Sequence, residues 1–246
     1  MSLRLLLLLS LTVALGLAAA DDELDQFLEL YESERADVAV MEARFVQTSL
    51  AEGDRFVAGG SLLYVNPRRL MFRYDDPALV YLVDDLRVYE YDPELAQVQI
   101  MTLEDAPQTE ALFLGFERDI DRLEEAYELS YFEPPEGGSH GLRLVPRGAE
   151  EAYFAEVRVT FRDETLVPHL VHMLHDDGSE VFIEISESQI NVPIEPRETQ
   201  IWLPENTRIV DEDGPVETVG AGGMAIPDPR EPRLPEEDEP AGEAAP

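Results

Sequence analysis

GGSLLYVNPRRLMFRYDDPALVYLVDDLRVYEYDPELAQVQIMT (residues 59–102) holds the pattern from which the architecture follows. Runs rich in Val, Leu, Tyr and Ile occur at 60–66, 69–74, 79–83, 87–91 and 96–102. Turn formers separate them: Asn66-Pro67, Asp75-Asp76-Pro77, Asp84-Asp85 and Asp92-Pro93. Pro and Asp at such places end a strand and reverse the chain. Connections this short join antiparallel neighbours, because a parallel crossover takes about a dozen residues or more. Leu70, Phe72 and Tyr74 alternate along the second run, with Arg69 and Arg73 between them. That is the period of a strand with two distinct faces.

The pattern extends both ways. Upstream, MEARFVQTS (41–49) sets Ala43, Phe45 and Gln47 against Arg44, Val46 and Thr48, a further strand. Before it, DDELDQFLELYESE (21–34) places Leu24, Phe27, Leu28 and Tyr31 at i, i+3, i+4 and i+7. Acids fill the other face and the first turn, so this predicts an amphipathic helix. Downstream, 103–126 breaks the strand pattern: ALFLGF (111–116) and DIDRLEEAY (119–127) read as short helices. Strand signals resume at 127–132, 141–146, 152–162, 168–174 and 180–187, with a hairpin turn at Asp176-Asp177-Gly178 and a last strand near 199–203. Ten or eleven strands, an N-terminal helix and a short helical insert predict a mainly β protein: one strongly curved antiparallel sheet with helices at one side or mouth.

The ends read differently. MSLRLLLLLSLTVALGLAAA (1–20) has a basic Arg4, an apolar run from Leu5 to Leu17 and a small-residue end. This is the anatomy of a secretory signal peptide cleaved near Ala20, and the run is short for a membrane span. With no cysteine, the chain has no disulfide framework and no thiol that could be lipidated after cleavage. The expectation is an exported, soluble protein with one folded domain over 21–214. From 215 to 246 the chain is acidic and rich in Pro and Glu, which predicts a disordered tail. All 18 basic residues are arginine against 53 acidic ones, and the net charge of −35 excludes a nucleic-acid role and favours solubility.

Candidate chemistry is thin. His169, His172 and His175 cannot all converge from one strand, since His172 points away from the other two, so they read as surface histidines and not as metal ligands. Gly137-Gly138-Ser139-His140-Gly141 spells G-x-S-x-G, but it follows Pro134-Pro135 and precedes a strand, where a nucleophile elbow needs a strand and then a helix. The sequence therefore predicts no enzyme, no metal and no cofactor. Leu70, Phe72, Tyr74, Tyr89 and Tyr91 fit a packed sheet core, the plainer reading of periodicity, or the lining of an apolar cavity.

Ordered motifs carry a resemblance. Ala43-x-Phe45-x-Gln47 is followed by Gly60-x-Leu62-x-Tyr64-x-x-Pro67, then Leu70-x-Phe72-x-Tyr74-x-x-Pro77, then Val88-Tyr89-x-Tyr91-Asp92-Pro93-x-Leu95-x-Gln97-Val98. Leu142–Pro146, Ile190-Asn191-x-Pro193 and Leu203-Pro204-Glu205 continue the series. The set resembles the LolA family, periplasmic carriers of outer-membrane lipoproteins, over residues 22–213. The resemblance implies an incomplete, unclosed antiparallel β-barrel with an N-terminal helix and a short helical lid over a hydrophobic cavity. It implies a monomer that shelters lipoprotein acyl chains, loaded by an inner-membrane ABC lipoprotein exporter and unloaded to an outer-membrane acceptor, with no covalent chemistry. Its cavity residues would be Phe45, Leu62, Leu70, Phe72, Tyr74, Tyr89 and Tyr91, joined by Leu112, Phe113 and Phe116 from a lid over Glu110–Phe116. The family's lid latch is an Arg directly before the proline matching Pro67. Asn66 stands there, which leaves Arg68 or Arg69 of the same turn as the candidates. The same fold also admits a lipid- or lipoprotein-sensing module with a different client.

Overall fold

The computed structural model describes residues 22–103, 115–117, 119–135, 139–148, 154–162, 165–211 and 216–227. The signal-peptide expectation, most of the expected lid and the end of the expected tail lie outside these residues.

Helix α1 covers residues 22–36. Six consecutive strands follow: β1 (Val40–Ala51), β2 (Asp54–Val65), β3 (Arg69–Tyr74), β4 (Leu79–Asp84), β5 (Arg87–Asp92) and β6 (Gln97–Thr102). Helix α2 (Ile120–Ala126) precedes β7 (Tyr127–Phe132), β8 (His140–Pro146), β9 (Glu156–Phe161), β10 (Pro168–Leu174) and β11 (Glu180–Ile190). A 3₁₀ turn at Pro196–Thr199 leads to β12 (Ile201–Leu203), β13 (Arg208–Asp211), β14 (Glu217–Thr218) and β15 (Met224–Ile226). Thirteen strands form one sheet in the order β14-β13-β6-β5-β4-β3-β2-β1-β11-β10-β9-β8-β7, so β14 and β7 are its edges and the sheet is unclosed. Every pairing in it is antiparallel except β13 on β6, which is parallel.

The two halves join through β1 and β11. Asn191, just past β11 and in the left-handed region (φ 54°), fixes that junction. Its side-chain oxygen accepts from the Ala39 amide (2.8 Å) and its side-chain amide donates to the Asp37 carbonyl (2.8 Å). Its own backbone N–H donates to the Val40 carbonyl at 2.7 Å.

The sheet curls around α1. Phe27 and Tyr31 of α1 pack edge-on or tilted against Tyr131 of β7 and Phe161 of β9, at centroid distances of 5.5 and 5.4 Å respectively. One turn further on, the Arg35 guanidinium lies 5.5 Å from the Tyr64 ring of β2. In a flat sheet β2 and β7 would lie about 29 Å apart, while Phe27 and Arg35 are only about 12 Å apart along a helix axis. Strong curvature reconciles the two. The apolar stripe of α1 is the one its spacing predicts, with Phe27, Leu28 and Tyr31 buried and Leu24 packed beside them.

Gly60 makes the curvature possible at β2. A side chain there would put a Cβ 1.9 Å from the Arg73 carbonyl oxygen and 3.0 Å from the Phe45 ring. Its absence lets Phe45 and Tyr74, Gly60's neighbours across the β1 and β3 pairings, meet edge to face at 4.9 Å.

Two findings depart from expectation. First, β3 to β6 are buried on both faces. Leu70, Phe72, Val83 and Val88 point to the inner core under α1, while Met71, Leu82, Tyr89, Tyr91 and Val98 form a second core with Ile201, Leu203, Val219 and Ile226. Second, residues 216–227 are not a bare tail: β14 pairs with β13, and β15 pairs with β12. The sequence expectation of disorder from 215 is corrected there, because Val219 and Ile226 are buried against the outer face of the sheet. Arg69 and Arg73 belong to this layer. Arg69 donates to Asp84 (2.7 Å) and Thr199 (3.1 Å), and Arg73 donates to the carbonyls of Glu198 (3.3 Å) and Gln200 (3.2 Å).

The outer core should carry real stability. Leu203 is fully buried whereas its neighbour Trp202 is 60% exposed. Leu203→Ala is expected to cost about 2–5 kcal/mol in urea unfolding, and Trp202→Ala much less. Equal small losses would show that the C-terminal layer is not integral to the fold.

Candidate functional site

The inner face of the sheet is close-packed beneath α1 and opens at one end. There β1, β2, the β3–β4 turn and the β10–β11 hairpin border a cavity of about 740 Å³. Register explains its lining. Gln47 sits opposite Ala58, and Ser49 opposite Val181, while Tyr74 sits opposite Leu79. Side chains directly opposite on paired strands share a face, so these groups converge with Tyr81 and Met173 on the inner side. Asp176, Asp177 and Glu180 form a polar rim with His175.

Aromatic rings make its floor. Tyr74 is edge-on to Phe45 (4.9 Å) and to Tyr81 (5.8 Å), and Phe45 is edge-on to Phe72 (5.1 Å). The Tyr74 hydroxyl donates to Gln47 Oε1 at 2.7 Å, and Gln47 Nε2 donates to Ser49 Oγ at 3.2 Å. Buried polar atoms that bond one another leave apolar surface facing the cavity. Burial, with Tyr81 beside it, pushes the Tyr74 phenol well above its ordinary value. Tyr81 is pushed up to about 12, by burial first and then by the carboxylates of Glu90 and Asp92. Phe56, 63% exposed, extends the same face beyond Ser49 as an apolar lip.

The residues singled out from sequence fall into four places. Tyr74 lines the cavity and Phe45 and Phe72 stand behind it. Leu62 and Leu70 lie deeper in the packed core, and Phe116 stacks on Tyr64 at 5.6 Å, away from the open end. Tyr89 and Tyr91 are on the outer face among the C-terminal strands, so their cavity assignment is corrected: alternation had identified their shared face but not which one. Leu112 and Phe113 lie outside the described residues. The sequence reading missed Ala58, Leu79, Tyr81, Met173 and Val181. Leu79 and Tyr81 were recoverable from the hairpin register with Tyr74. Met173 and Val181 were not, because nothing local reveals that β11 pairs with β1.

The turn around Asn66 holds the candidate latch. The Asn66 N–H donates to the Ala39 carbonyl (2.9 Å). Arg68 forms an ion pair with Glu117 and a second, at 3.2 Å, with Asp85. Glu117 directly follows Phe116, so this pair ties the β2–β3 turn to the segment leading into α2. Arg69 points to the outer face and is corrected as a latch.

The other singled-out groups do not assemble. His172 bonds Glu180 (2.7 Å) and stacks on Phe182, while His169 lies 3.3 Å from the Ile185 carbonyl and His175 is at the cavity rim. His140, beside Ser139, meets the Tyr131 hydroxyl at 3.2 Å.

Comparison with known proteins adds a family. Residues 36–198 match the family described as outer membrane lipoprotein carrier protein LolA. The outer-membrane lipoprotein carrier protein of Bordetella avium (strain 197N) is 28% identical over 208 residues, which are 82% of this chain and 93% of that one. The protein of the same description from Nitrosomonas europaea is 27% identical over 174 residues, 69% of this chain and 81% of that one. Among solved structures, an uncharacterized conserved protein from Thermus thermophilus aligns over 76% of this chain and 98% of that chain, at 12% identity and a TM-score of 0.48.

The buried phenols set an alkaline limit. Between pH 10.0 and about 12 the folded state keeps a proton on Tyr81 that the unfolded chain has released. Stability is therefore full below pH 10.0 and falls as pH rises towards about 12. The urea midpoint should drop across that window, and Tyr81→Phe should flatten the drop. An unchanged slope in the variant would place an ordinary phenol at this position.

Proposed function

The chain belongs to the LolA family of outer-membrane lipoprotein carriers, and on that basis we propose that it shelters lipoprotein acyl chains in the inner-face cavity beside Tyr74 and ferries them across the periplasm. The observation that supports this reading is the hollow of about 740 Å³ at the open end of the curled sheet, where Leu79, Tyr74, Tyr81, Met173 and Val181 meet beneath a polar rim. An inner-membrane ABC exporter would load it and an outer-membrane acceptor would empty it.

The energetics suit a carrier. Burying ten methylenes is worth about 8 kcal/mol, the free energy of a roughly micromolar complex. Ordering the chain and reshaping the protein subtract from that value. The packed inner core supplies the subtraction. Leu62, Leu70 and Phe72 are fully buried under the present packing, so a longer chain enters only as α1 and the α2 segment separate from the sheet. The Arg68–Glu117 pair resists that separation, which lowers net affinity and makes handover possible.

Leu79 lines the cavity and is only partly buried, whereas Leu95 lies on a remote turn and is exposed. Leu79→Glu should weaken binding of a fluorescent palmitoylated peptide at least tenfold, about 1.4 kcal/mol, with Leu95→Glu as the unaffected control. Wild-type protein that neither binds the peptide nor takes a lipoprotein from inner-membrane vesicles would end the carrier reading. Arg68→Ala should tighten acyl binding and slow transfer to outer-membrane vesicles. Transfer at the wild-type rate would remove Arg68 as a latch.

A further inference from the structure

At the end of the inner face away from the acyl cavity, Arg35 is in an unusual position. Its side chain is wholly buried on the last turn of α1, between the rings of Tyr31 (5.7 Å) and Tyr64 (5.5 Å). Those rings offer their faces to the cation. Yet none of its three guanidinium nitrogens has a hydrogen-bond partner among the described residues. Five N–H groups without acceptors, on a charge removed from water, cost several kcal/mol unless an anion answers them.

Arg35 borders a hollow of about 430 Å³, with Arg68 and Arg122 on other walls. Three of its four carboxylates are engaged. Glu117 and Asp85 are paired to Arg68, and Asp119 caps α2 by accepting from the Arg122 backbone N–H at 3.1 Å. Only Glu32 has no such engagement, against two guanidinium groups, Arg35 and Arg122, that have no ion pair among the described residues. A close-packed alternative is easy to imagine, since Met would fill the space between two tyrosine rings without any polar atom.

We propose that Arg35 and Arg122 form a binding site for a single oxyanion, a carboxylate or phosphate group, at the junction of α1, the β2–β3 turn and the start of α2. The guanidinium nitrogens of Arg35 are closed off in the present packing, and once the side chain turns into the adjoining hollow its planar group offers paired N–H donors that match two oxygens of such a group. Arg122, at the solvent side, gives the anion a second contact and a route of entry. Phosphate could come from a lipid headgroup or from free phosphate. Arg68, already paired with two carboxylates, holds the wall in place.

Thermal unfolding of the full chain at constant ionic strength tests this, with inorganic phosphate, acetate and a short-chain phosphatidic acid below its micelle concentration as probes. A specific anion raises the melting temperature saturably, because it binds the folded state alone. The proposal expects such a rise with at least one probe, an affinity about tenfold lower or worse in Arg35→Met, and several-fold lower in Arg122→Ala. It also expects ligand-free Arg35→Met to be at least as stable as the wild type, because a buried charge without acceptors has been removed. A response to phosphatidic acid alone, lost in Arg35→Met, identifies a lipid headgroup; a response to phosphate identifies the free ion. No saturable shift with any probe overturns the site. So does a shift that survives in both variants, which would place the anion elsewhere. If Arg35→Met fails to fold, Arg35 is structural and the site is refuted unless Arg122→Ala weakens a saturable shift of the wild type.

Discussion

Strands β3 to β6 have two apolar faces, and a sheet cannot leave either in water. Each face is covered by a different end of the chain: α1 takes the inner side, and the segment from the 3₁₀ turn to β15 takes the outer side. That requirement accounts for features that look unrelated in sequence. Arg69 and Arg73 lie between apolar neighbours because their guanidinium groups bind Thr199 and the carbonyls of Glu198 and Gln200, tying the outer layer down. β13 adds in parallel beside β6 because the chain returns along the outer face instead of through a hairpin. The capping pair of Glu195 and Glu198 then starts the turn that aims β12 across the sheet.

Much of the architecture was legible because it is local. The α1 stripe, the hairpins at Asn66-Pro67 and Asp84-Asp85, and the strand identities all follow from periodicity and turn chemistry. The second core was not read, although a signal existed. In LVYLVD (79–84) neighbouring residues are all apolar, and strands buried on both faces lose the polar alternation of a half-buried one. The C-terminal layer was hidden by composition. Val219, Met224 and Ile226 are a few apolar residues in an acidic, Gly-rich stretch, and they find a surface to bury only through the pairing of Met224 and Ile226 with β12 and the backbone hydrogen bonds of Val219 with Asn206 and Thr207. For the candidate site, the wall from β1 and β3 was visible in sequence. The wall from β10 and β11 depends on a pairing more than 130 residues apart, as between Phe45 and Ile185, which no local pattern encodes.

Charge follows a similar division. With 53 acids and no lysine, the basic side chains are all arginine, and several of them, Arg68, Arg69, Arg73 and Arg143 among them, work as partly buried struts. Glu156 illustrates this. It is buried between Arg143 and Arg158, and their hydrogen bonds hold its carboxyl below the usual value although burial alone would raise it. Planar guanidinium groups suit such bidentate, partly buried roles better than ammonium groups do. The uncompensated acids are left outside, where they keep the protein soluble and repel anionic surfaces.

Two separate cores also bear on how a carrier can open without unfolding. On the proposed reading, acyl chains longer than the cavity would displace packing on the inner face, and a single-layered sheet would then expose both of its sides. Here the outer core holds β3 to β6 in register whatever happens beneath α1. Polar ties that hold the covering elements of the inner face include Arg68 to Glu117 and the Tyr31 hydroxyl to the Glu117 carbonyl at 2.7 Å. Both ties end on the same residue. On the proposed carrier reading, movement of the segment at Glu117 would loosen both ties together, since α1 and the β2–β3 turn meet at that one residue.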